Sequence, residues 1–223
     1  MKTILVTGAN RGIGLALVKR FRSRGDEVVA VCRHGSDELA GAGARVETGV
    51  DVTDDAALAA LDARLGDLPI DQLWLNAGVL ERDTLDQLDG NAFAAVRRQF
   101  EVNALGPLRV AHALHHRLGK GSKIAIITSR MGSIQDNGSG GYYGYRASKA
   151  AVNAIGKSLA IDLAPRGIAV YLLHPGYVAT DMVGGTGDIS PELAAQRLSV
   201  RVDSLDQAQT GTFWHSDGSQ LNW

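Results

Sequence analysis

Short runs of β-branched and apolar residues alternate along the chain with longer segments in which apolar residues recur every three or four positions. The short runs predict strands and the longer segments predict helices. This alternation predicts an α/β fold, in which a doubly wound, mostly parallel sheet of about seven strands carries helices on both faces. Strands are predicted over 3–6, 27–32, 45–50, 72–75, 123–128, 168–173 and 211–214, and helices over 13–22, 54–65, 91–118 and 145–163.

The boundaries between these elements show no break that would divide the chain. There is no internal repeat and no linker, so residues 1–223 are expected to form one domain. The longest helical segment is expected to be interrupted near Gly106-Pro107, because proline cannot donate to a helix ladder. Glycine-rich stretches at 132–144 and 184–191 are predicted loops, and the second is a candidate lid. Parallel sheets of this kind bind ligands at the carboxyl ends of their strands.

Composition and charge exclude several kinds of partner. The formal net charge of −1 gives no reason to expect nucleic acid or an anionic membrane surface. No apolar stretch approaches the ~20 residues of a membrane helix, and the apolar run after Met1 is too short for a signal peptide. The single cysteine, Cys32, cannot form an internal disulfide and fits a reducing compartment. We therefore expect a cytoplasmic protein that binds neither nucleic acid nor membrane.

A glycine-rich turn joins the first predicted strand to the first predicted helix. It reads Thr7-Gly8-Ala9-Asn10-Arg11-Gly12-Ile13-Gly14. Glycines at this place let the backbone turn tightly and approach a pyrophosphate, and the N-terminus of the following helix attracts the phosphates. Such a turn alone is weak evidence, but its position as the first strand-to-helix turn of an alternating pattern strengthens the prediction of a dinucleotide site.

Tyr145 and Lys149 are four residues apart on a predicted helix, so both side chains can face one cleft. A phenol is a poor acid–base catalyst at neutral pH, and a nearby ammonium is expected to lower its pKa. The plain alternative is that the tyrosine packs in the core and the lysine is solvated. The small residues around the pair, Ala147, Ser148 and Ala150, favour catalysis because they leave room for a cofactor.

Taken together, these motifs resemble those of the short-chain dehydrogenase/reductase family. The resemblance rests on the glycine turn 7–14, Asn76-Ala77-Gly78, the segment 145–149, His174-Pro175-Gly176 and Thr180, in the family's order along nearly the whole chain. It implies a Rossmann fold and hydride transfer between a nicotinamide cofactor and the carbonyl or alcohol of a small molecule. The context 146–153 resembles a subgroup of carbonyl reductases and C-factor-like signalling proteins.

The resemblance also implies catalytic roles. Ser129 would hydrogen-bond the substrate oxygen, Tyr145 would exchange the proton, Lys149 would lower the tyrosine pKa, and Asn103 would hold a water that relays protons. The interval from Ser129 to Tyr145 is three residues longer than the family's commonest spacing. Tyr142 stands at that spacing but is followed four residues later by arginine, so a longer loop is preferred.

Two of these assignments have alternatives. Ser133 is the alternative to Ser129, which keeps the family's Ser-x-x-Gly context. Asn103 could instead repair a local kink in its helix.

The cofactor is predicted to be NADP(H), with NAD(H) as the open alternative. No carboxylate ends the second strand, where one would bind the ribose of NAD; Arg33 stands there instead, and Arg11 lies in the glycine turn. Asp51-Val52 resembles the family's adenine-contacting pair, although Asp51 or Thr53 could simply cap the next helix. The expected cofactor-binding residues are Gly8, Asn10, Arg11, Gly12, Ile13, Gly14, Arg33, Asp51, Val52, Asn76, Ala77, Gly78, Tyr145, Lys149, Pro175, Gly176, Val178 and Thr180.

Other expectations follow from the resemblance. Residues 182–207 should form much of the substrate pocket, and the helices at 91–118 and 145–163 should join subunits of a homodimer or homotetramer. No metal site is expected.

One alternative function is a nucleotide-binding signalling protein with little turnover. Another is an epimerase or dehydratase of the family's longer branch, which fits poorly because only 47 residues follow Gly176.

Overall fold

The computed structural model describes residues 1–223 and contains one parallel sheet of seven strands in the order β3-β2-β1-β4-β5-β6-β7. The predicted fold class is confirmed. The strands are β1 Thr3–Thr7, β2 Glu27–Val31, β3 Arg45–Glu47, β4 Ile70–Leu75, β5 Leu118–Ile127, β6 Ala169–His174 and β7 Thr212–His215. The helices are α1 Gly12–Ser23, α2 Asp37–Ala40, α3 Asp55–Leu65, α4 Gly90–Phe100, α5 Gly106–Leu114, α6 Tyr143–Leu163 and α7 Pro191–Ser204.

The sheet is covered on both faces, which explains why its central strands are continuously apolar. Along β1, Leu5 packs on one face with residues of α3, α5 and α6, whereas Ile4 and Val6 pack on the other face with α1 and α7. The strand order reverses between β1 and β4, because the chain builds outward from β1 on one side and from β4 on the other. This reversal opens a crevice at the carboxyl edge, where ligands bind in such folds.

The longest predicted helix is interrupted near Gly106-Pro107, as expected. The interruption is a wider π-helical turn over Glu101–Leu105, which carries α4 into α5. Pro107 lies in the first turn of α5, where a missing N–H is tolerated. The helix ends earlier than predicted, because Leu118 pairs with Ile70 and begins β5. None of the helices combines the length and the apolar character needed to cross a bilayer.

More than half of the segment predicted to form the substrate pocket instead forms helix α7, whose inner face packs on the core. Helix α7 begins at a Ser190 cap and packs against α1, with Ala195, Leu198 and Val202 fully buried. The prediction for 182–207 is therefore wrong over most of its length. Its small and polar residues are typical of a loop, but alanines and aliphatic residues recur at helical spacing between 194 and 202.

Candidate active site

Two adjoining cavities occupy the crevice at the carboxyl edge. The first, of about 410 Å³, lies over the glycine turn, and we call it the inner cavity. The second, of about 550 Å³, extends outward past Ser129, and we call it the outer cavity. Six residues line both, so they mark the boundary between the two spaces: Ile13, Thr128, Tyr145, Pro175, Thr180 and Met182.

The glycines of the turn are required by its geometry. Gly8 and Gly12 have φ values of +65° and +54°, which disfavour a side chain. A Cβ added at Gly14 would lie 2.1 Å from the Gly8 carbonyl oxygen, so only glycine lets α1 begin here. The Asn76 amide holds the turn from β4, since its Nδ2 donates to the carbonyls of Thr7 at 3.0 Å and Gly8 at 3.2 Å.

The start of α1 is suited to bind an anion. No side chain caps this N-terminus, and no acidic residue lies in its first turn. Its free N–H groups and dipole therefore remain available for phosphate. The residues present fit a dinucleotide, because this N-terminus and the glycine turn line the inner cavity together with Arg11 and Arg33.

The two arginines of the inner cavity are held by weak contacts. Arg11 pairs with Asp181 at 3.4 Å and Arg33 with Asp51 at 3.7 Å, both at exposed positions. Exposed ion pairs contribute little free energy, so either guanidinium can turn to a phosphate. Partial burial raises the pKa of Asp51, but the hydrogen bonds from Thr53 and the charge of Arg33 outweigh that effect and lower it.

Asp51 and Thr53 do not cap the helix that follows them. The Thr53 amide and hydroxyl donate to Asp51 Oδ1 at 2.9 and 2.8 Å, whereas Asp54 accepts from Ala56 and Ala57 and caps α3. The capping alternative is therefore wrong, because Asp54 stands one residue before the helix. Asp51 and Val52 both line the inner cavity.

Tyr145 and Lys149 lie side by side on α6, and both are almost completely buried. The Lys149 ammonium is 5.7 Å from the centre of the Tyr145 ring and donates to the Ile127 carbonyl at 2.9 Å. Burial raises the pKa of Tyr145 to about 12, although the hydrogen bond with Ser129 lowers it, and burial lowers the pKa of Lys149 to about 8. The expected lowering of the phenol pKa is thus not found, because loss of solvent dominates here.

Among the candidate serines, Ser129 is the one beside the phenol. Ser129 lines the outer cavity with Tyr145, and its hydroxyl acts to lower the pKa of the phenol. The Ser133 hydroxyl instead donates to the Trp223 carbonyl at 3.1 Å, away from both cavities. The structure therefore brings Ser129, and not Ser133, together with Tyr145 and Lys149.

Asn103 links three parts of the site. It lies in the π-helical turn and is fully buried. Its Oδ1 accepts from the Val79 N–H and its Nδ2 donates to the Val79 carbonyl, both at 2.8 Å. Its Nδ2 also donates to Ser148 Oγ at 3.1 Å. The side chain repairs no kink in its own helix. A Cβ added at Gly78 would lie 3.2 Å from Asn103 Oδ1 and 3.7 Å from Lys149 Nζ, so this glycine lets both side chains approach the β4 loop.

All but two of the expected cofactor-binding residues line the inner cavity. The exceptions are Gly176 and Val178, which line the outer cavity alone. Thr180 lies against the glycine turn, since its Cγ2 would be 3.3 Å from a Cβ at Gly12.

The structure adds Asp83, which sequence analysis missed. Its buried carboxylate accepts the backbone N–H groups of Tyr143 and of Gly144, the latter at 3.1 Å, and so caps α6 from a distant loop. The residue next to the helix, Tyr142, has a left-handed φ of +51° and makes no side-chain cap. Capping motifs are read from neighbouring residues, and nothing in the sequence links positions 60 apart.

His174 is a second residue that sequence analysis missed. It ends β6, lines the outer cavity and stacks edge-on against His215 with ring centres 4.9 Å apart. Its Nδ1 is buried without a hydrogen-bond partner. Burial, followed by the charges of His215 and Arg130, lowers the pKa of His174 to about 3.

Acidification is expected to destabilise the protein through His174. In the folded chain this ring stays neutral down to about pH 3, whereas in the unfolded chain it takes up a proton below about 6.5. The free energy of unfolding should therefore fall as the pH is lowered from 6.5 toward 3, by up to about 1.4 kcal/mol per pH unit from this residue. Urea unfolding of wild type and His174→Asn between pH 4 and 7 measures this pH dependence of the free energy of unfolding. His34→Asn, at an exposed position, is the control. Equal pH slopes in wild type and His174→Asn would contradict the assignment.

The fold and this site define a dinucleotide-dependent oxidoreductase. Residues 2–188 match the family model of the short chain dehydrogenases. The chain is 44% identical, over the full length of both proteins, to 1-hydroxy-2-glutathionyl-2-methyl-3-butene dehydrogenase of Rhodococcus sp. strain AD45. It is 42% identical to C-signal of Myxococcus xanthus, over 70% of this chain and 93% of that protein.

Solved structures give the same result. NADPH-bound carbonyl reductase from chicken fatty liver superposes with a TM-score of 0.89 at 28% identity, covering 100% of this chain and 99% of that one. Carbonyl reductase Sniffer of D. melanogaster superposes with a TM-score of 0.90 at 29% identity, covering both chains fully. The chain belongs to the short-chain dehydrogenase/reductase family, and it is an oxidoreductase that acts on alcohol and carbonyl groups.

Proposed function

We propose that this protein is an NADP(H)-dependent carbonyl reductase of small molecules in which Tyr145 is the proton donor. The observation that carries the proposal is the position of Tyr145 at the boundary of the two cavities, beside Ser129 and Lys149. A cofactor over the glycine turn and a substrate in the outer cavity would meet at this residue. Loss of turnover in Tyr145→Phe tests the proposal and is developed in the Discussion.

Ser129 and Tyr145 act on the substrate oxygen, and the cofactor acts on the carbonyl carbon. When bound, NADP(H) supplies the hydride that reaches the carbonyl carbon. Ser129 and Tyr145 donate hydrogen bonds to the substrate oxygen, which stabilises the negative charge that develops there. Tyr145 then transfers its proton from Oη.

The remaining residues hold the cofactor and return the proton. Lys149 and Thr180 hold the nicotinamide end, and Asn103 holds the water that restores the proton. At neutral pH the Tyr145 phenol carries the proton that reduction requires, because its pKa of about 12 lies far above 7.

The preference for NADP(H) over NAD(H) is supported by the arginines of the inner cavity. Arg11 and Arg33 line it from the turns that follow the neighbouring strands β1 and β2, and their ion pairs with Asp181 and Asp51 are long, at 3.4 and 3.7 Å. A guanidinium fork matches phosphate geometry. The NADP-bound short-chain dehydrogenase/reductase of Burkholderia multivorans, with a TM-score of 0.89 and 31% identity, supports the same cofactor.

Replacing Arg33 by glutamine is expected to lower kcat/KM for NADPH by about tenfold or more and to leave kcat/KM for NADH within about twofold. The reason is that the extra phosphate of NADPH loses a charged donor that NADH never uses. Steady-state kinetics with both cofactors measure the ratio. Arg98→Gln removes an exposed arginine that lines neither cavity and is the control. An unchanged cofactor ratio in Arg33→Gln would contradict the proposal.

We also propose that the protein is a homodimer or homotetramer joined through α4, α5 and α6. Exposed apolar side chains on these helices support the contact, namely Phe93, Leu108, Tyr143 and Ile161.

The complete set of Ser129, Tyr145 and Lys149 supports turnover, and no observation favours a purely signalling role. The single buried cysteine, Cys32, supports a cytoplasmic location.

A further inference from the structure

The outer cavity is lined by charged residues of mainly one sign. Three arginines, Arg82, Arg130 and Arg146, face a single carboxylate, that of Asp136. We call these three residues the arginine cluster. The whole chain carries a formal net charge of −1, so this local excess of positive charge is a property of the cavity and not of the protein at large.

Most of the positive charge of the arginine cluster is not neutralised. Arg130 pairs with Asp136 at 2.9 Å. Arg146 donates only to uncharged oxygens, namely the carbonyls of Met131 at 3.4 Å, Gly140 at 3.3 Å and Gly141 at 3.2 Å and the hydroxyl of Ser139 at 2.8 Å. Arg82 is exposed and makes no hydrogen bond or ion pair. Two of the three guanidinium groups therefore lack a carboxylate partner.

The rest of the outer cavity is mainly apolar. Leu80, Met131, Tyr177, Met182 and Val183 line it, and the side chains of Tyr177 and Met182 are nearly half exposed. An apolar wall beside unpaired guanidinium groups suits a ligand with an apolar body and an anionic group.

We propose that the outer cavity selects carbonyl substrates that also carry a carboxylate, and that Arg82 and Arg146 bind this carboxylate. The inference rests on the proposed function, since it places the reacting carbonyl at Tyr145. Arg82 is the specificity-determining residue, because its guanidinium group has no hydrogen-bond partner and can bind a carboxylate bidentately. Arg146 adds charge while it holds the loop.

Matched pairs of keto acids and their methyl esters test the inference. The probes are 4-oxopentanoate, 6-oxoheptanoate and their esters, reduced by wild type, Arg82→Gln and Arg82→Glu. Wild type is expected to favour at least one acid over its ester by about tenfold in kcat/KM at low salt, with the preference shrinking as ionic strength rises. Arg82→Gln should remove most of the preference, and Arg82→Glu should reverse it. Arg97→Gln, at an exposed arginine outside both cavities, should leave it unchanged.

The outcomes separate this inference from the proposed function. Reduction of the esters that needs Tyr145, with no preference for any acid, would overturn the anionic substrate class and leave the reductase intact. A preference for the acid that survives in Arg82→Gln and Arg82→Glu would overturn the role of Arg82. Absence of Tyr145-dependent turnover with acids and esters alike would overturn the reductase proposal and this inference with it.

Discussion

Tyr145→Phe is expected to lower kcat by about a thousandfold and to change the dissociation constant for NADPH by less than about threefold. Positioned proton transfer of this kind contributes about 10²–10⁴ in rate. The phenol ring fills the buried position, and phenylalanine preserves that packing. The substitution removes only the hydroxyl that would donate the proton. Stopped-flow or steady-state reduction, together with fluorescence titration of NADPH, measures both quantities.

The control for this variant is Tyr143→Phe. Tyr143 lies on the same helix two residues earlier, is partly exposed and lines neither cavity. It should retain nearly full turnover. If Tyr145→Phe keeps a rate within about threefold of wild type, Tyr145 is not the proton donor. If NADPH binding is lost together with turnover, the hydroxyl serves cofactor binding, and the assignment also fails.

Gly14→Ala is expected to abolish detectable NADPH binding and to lower the free energy of unfolding by roughly 1–3 kcal/mol. The added methyl group would lie 2.1 Å from the Gly8 oxygen and 2.6 Å from Asn76 Nδ2. The Gly8 oxygen belongs to the backbone, so α1 must move away from the turn. That movement withdraws the helix N-terminus from the place where phosphates bind.

Thermal unfolding and NADPH titration of the purified variant measure both effects. Gly90→Ala is the matched control, because a Cβ at Gly90 meets nothing within 4 Å at the start of α4. It should bind NADPH normally and be as stable as wild type or slightly more so. Normal cofactor binding in Gly14→Ala would show that the close approach at Gly14 is dispensable.

The parts of the fold that could be predicted are those encoded by nearby residues. Periodicity located all seven strands and the main helices, and the motif order pointed to the correct family. The glycine turn and the Tyr145–Lys149 spacing are local patterns of this kind. One error occurred where a tertiary contact decides, since Leu118 joins β5 because Ile70 pairs with it. The other, at α7, occurred although alanines and aliphatic residues recur there at helical spacing.

The electrostatics of the site could be predicted less well than its position. Spacing on a helix shows that Lys149 can approach Tyr145, but it does not show how completely both groups leave water. The loss of solvent raises the pKa of the phenol in this structure instead of lowering it. The buried contacts of Asn103 and the unpartnered Nδ1 of His174 likewise depend on the folded surroundings.

The cap formed by Asp83 has a consequence for how this protein can diverge. Because a distant carboxylate anchors the start of α6, the location of Tyr145 does not depend on the length of the loop at 133–141. That loop can change in length and sequence while β5 and the capped helix α6, which flank it, keep their positions. The three extra residues that the resemblance to the family implies would be accommodated there. Natural insertions and deletions, or grafted loops, can therefore alter which substrates enter while Tyr145 stays in its place.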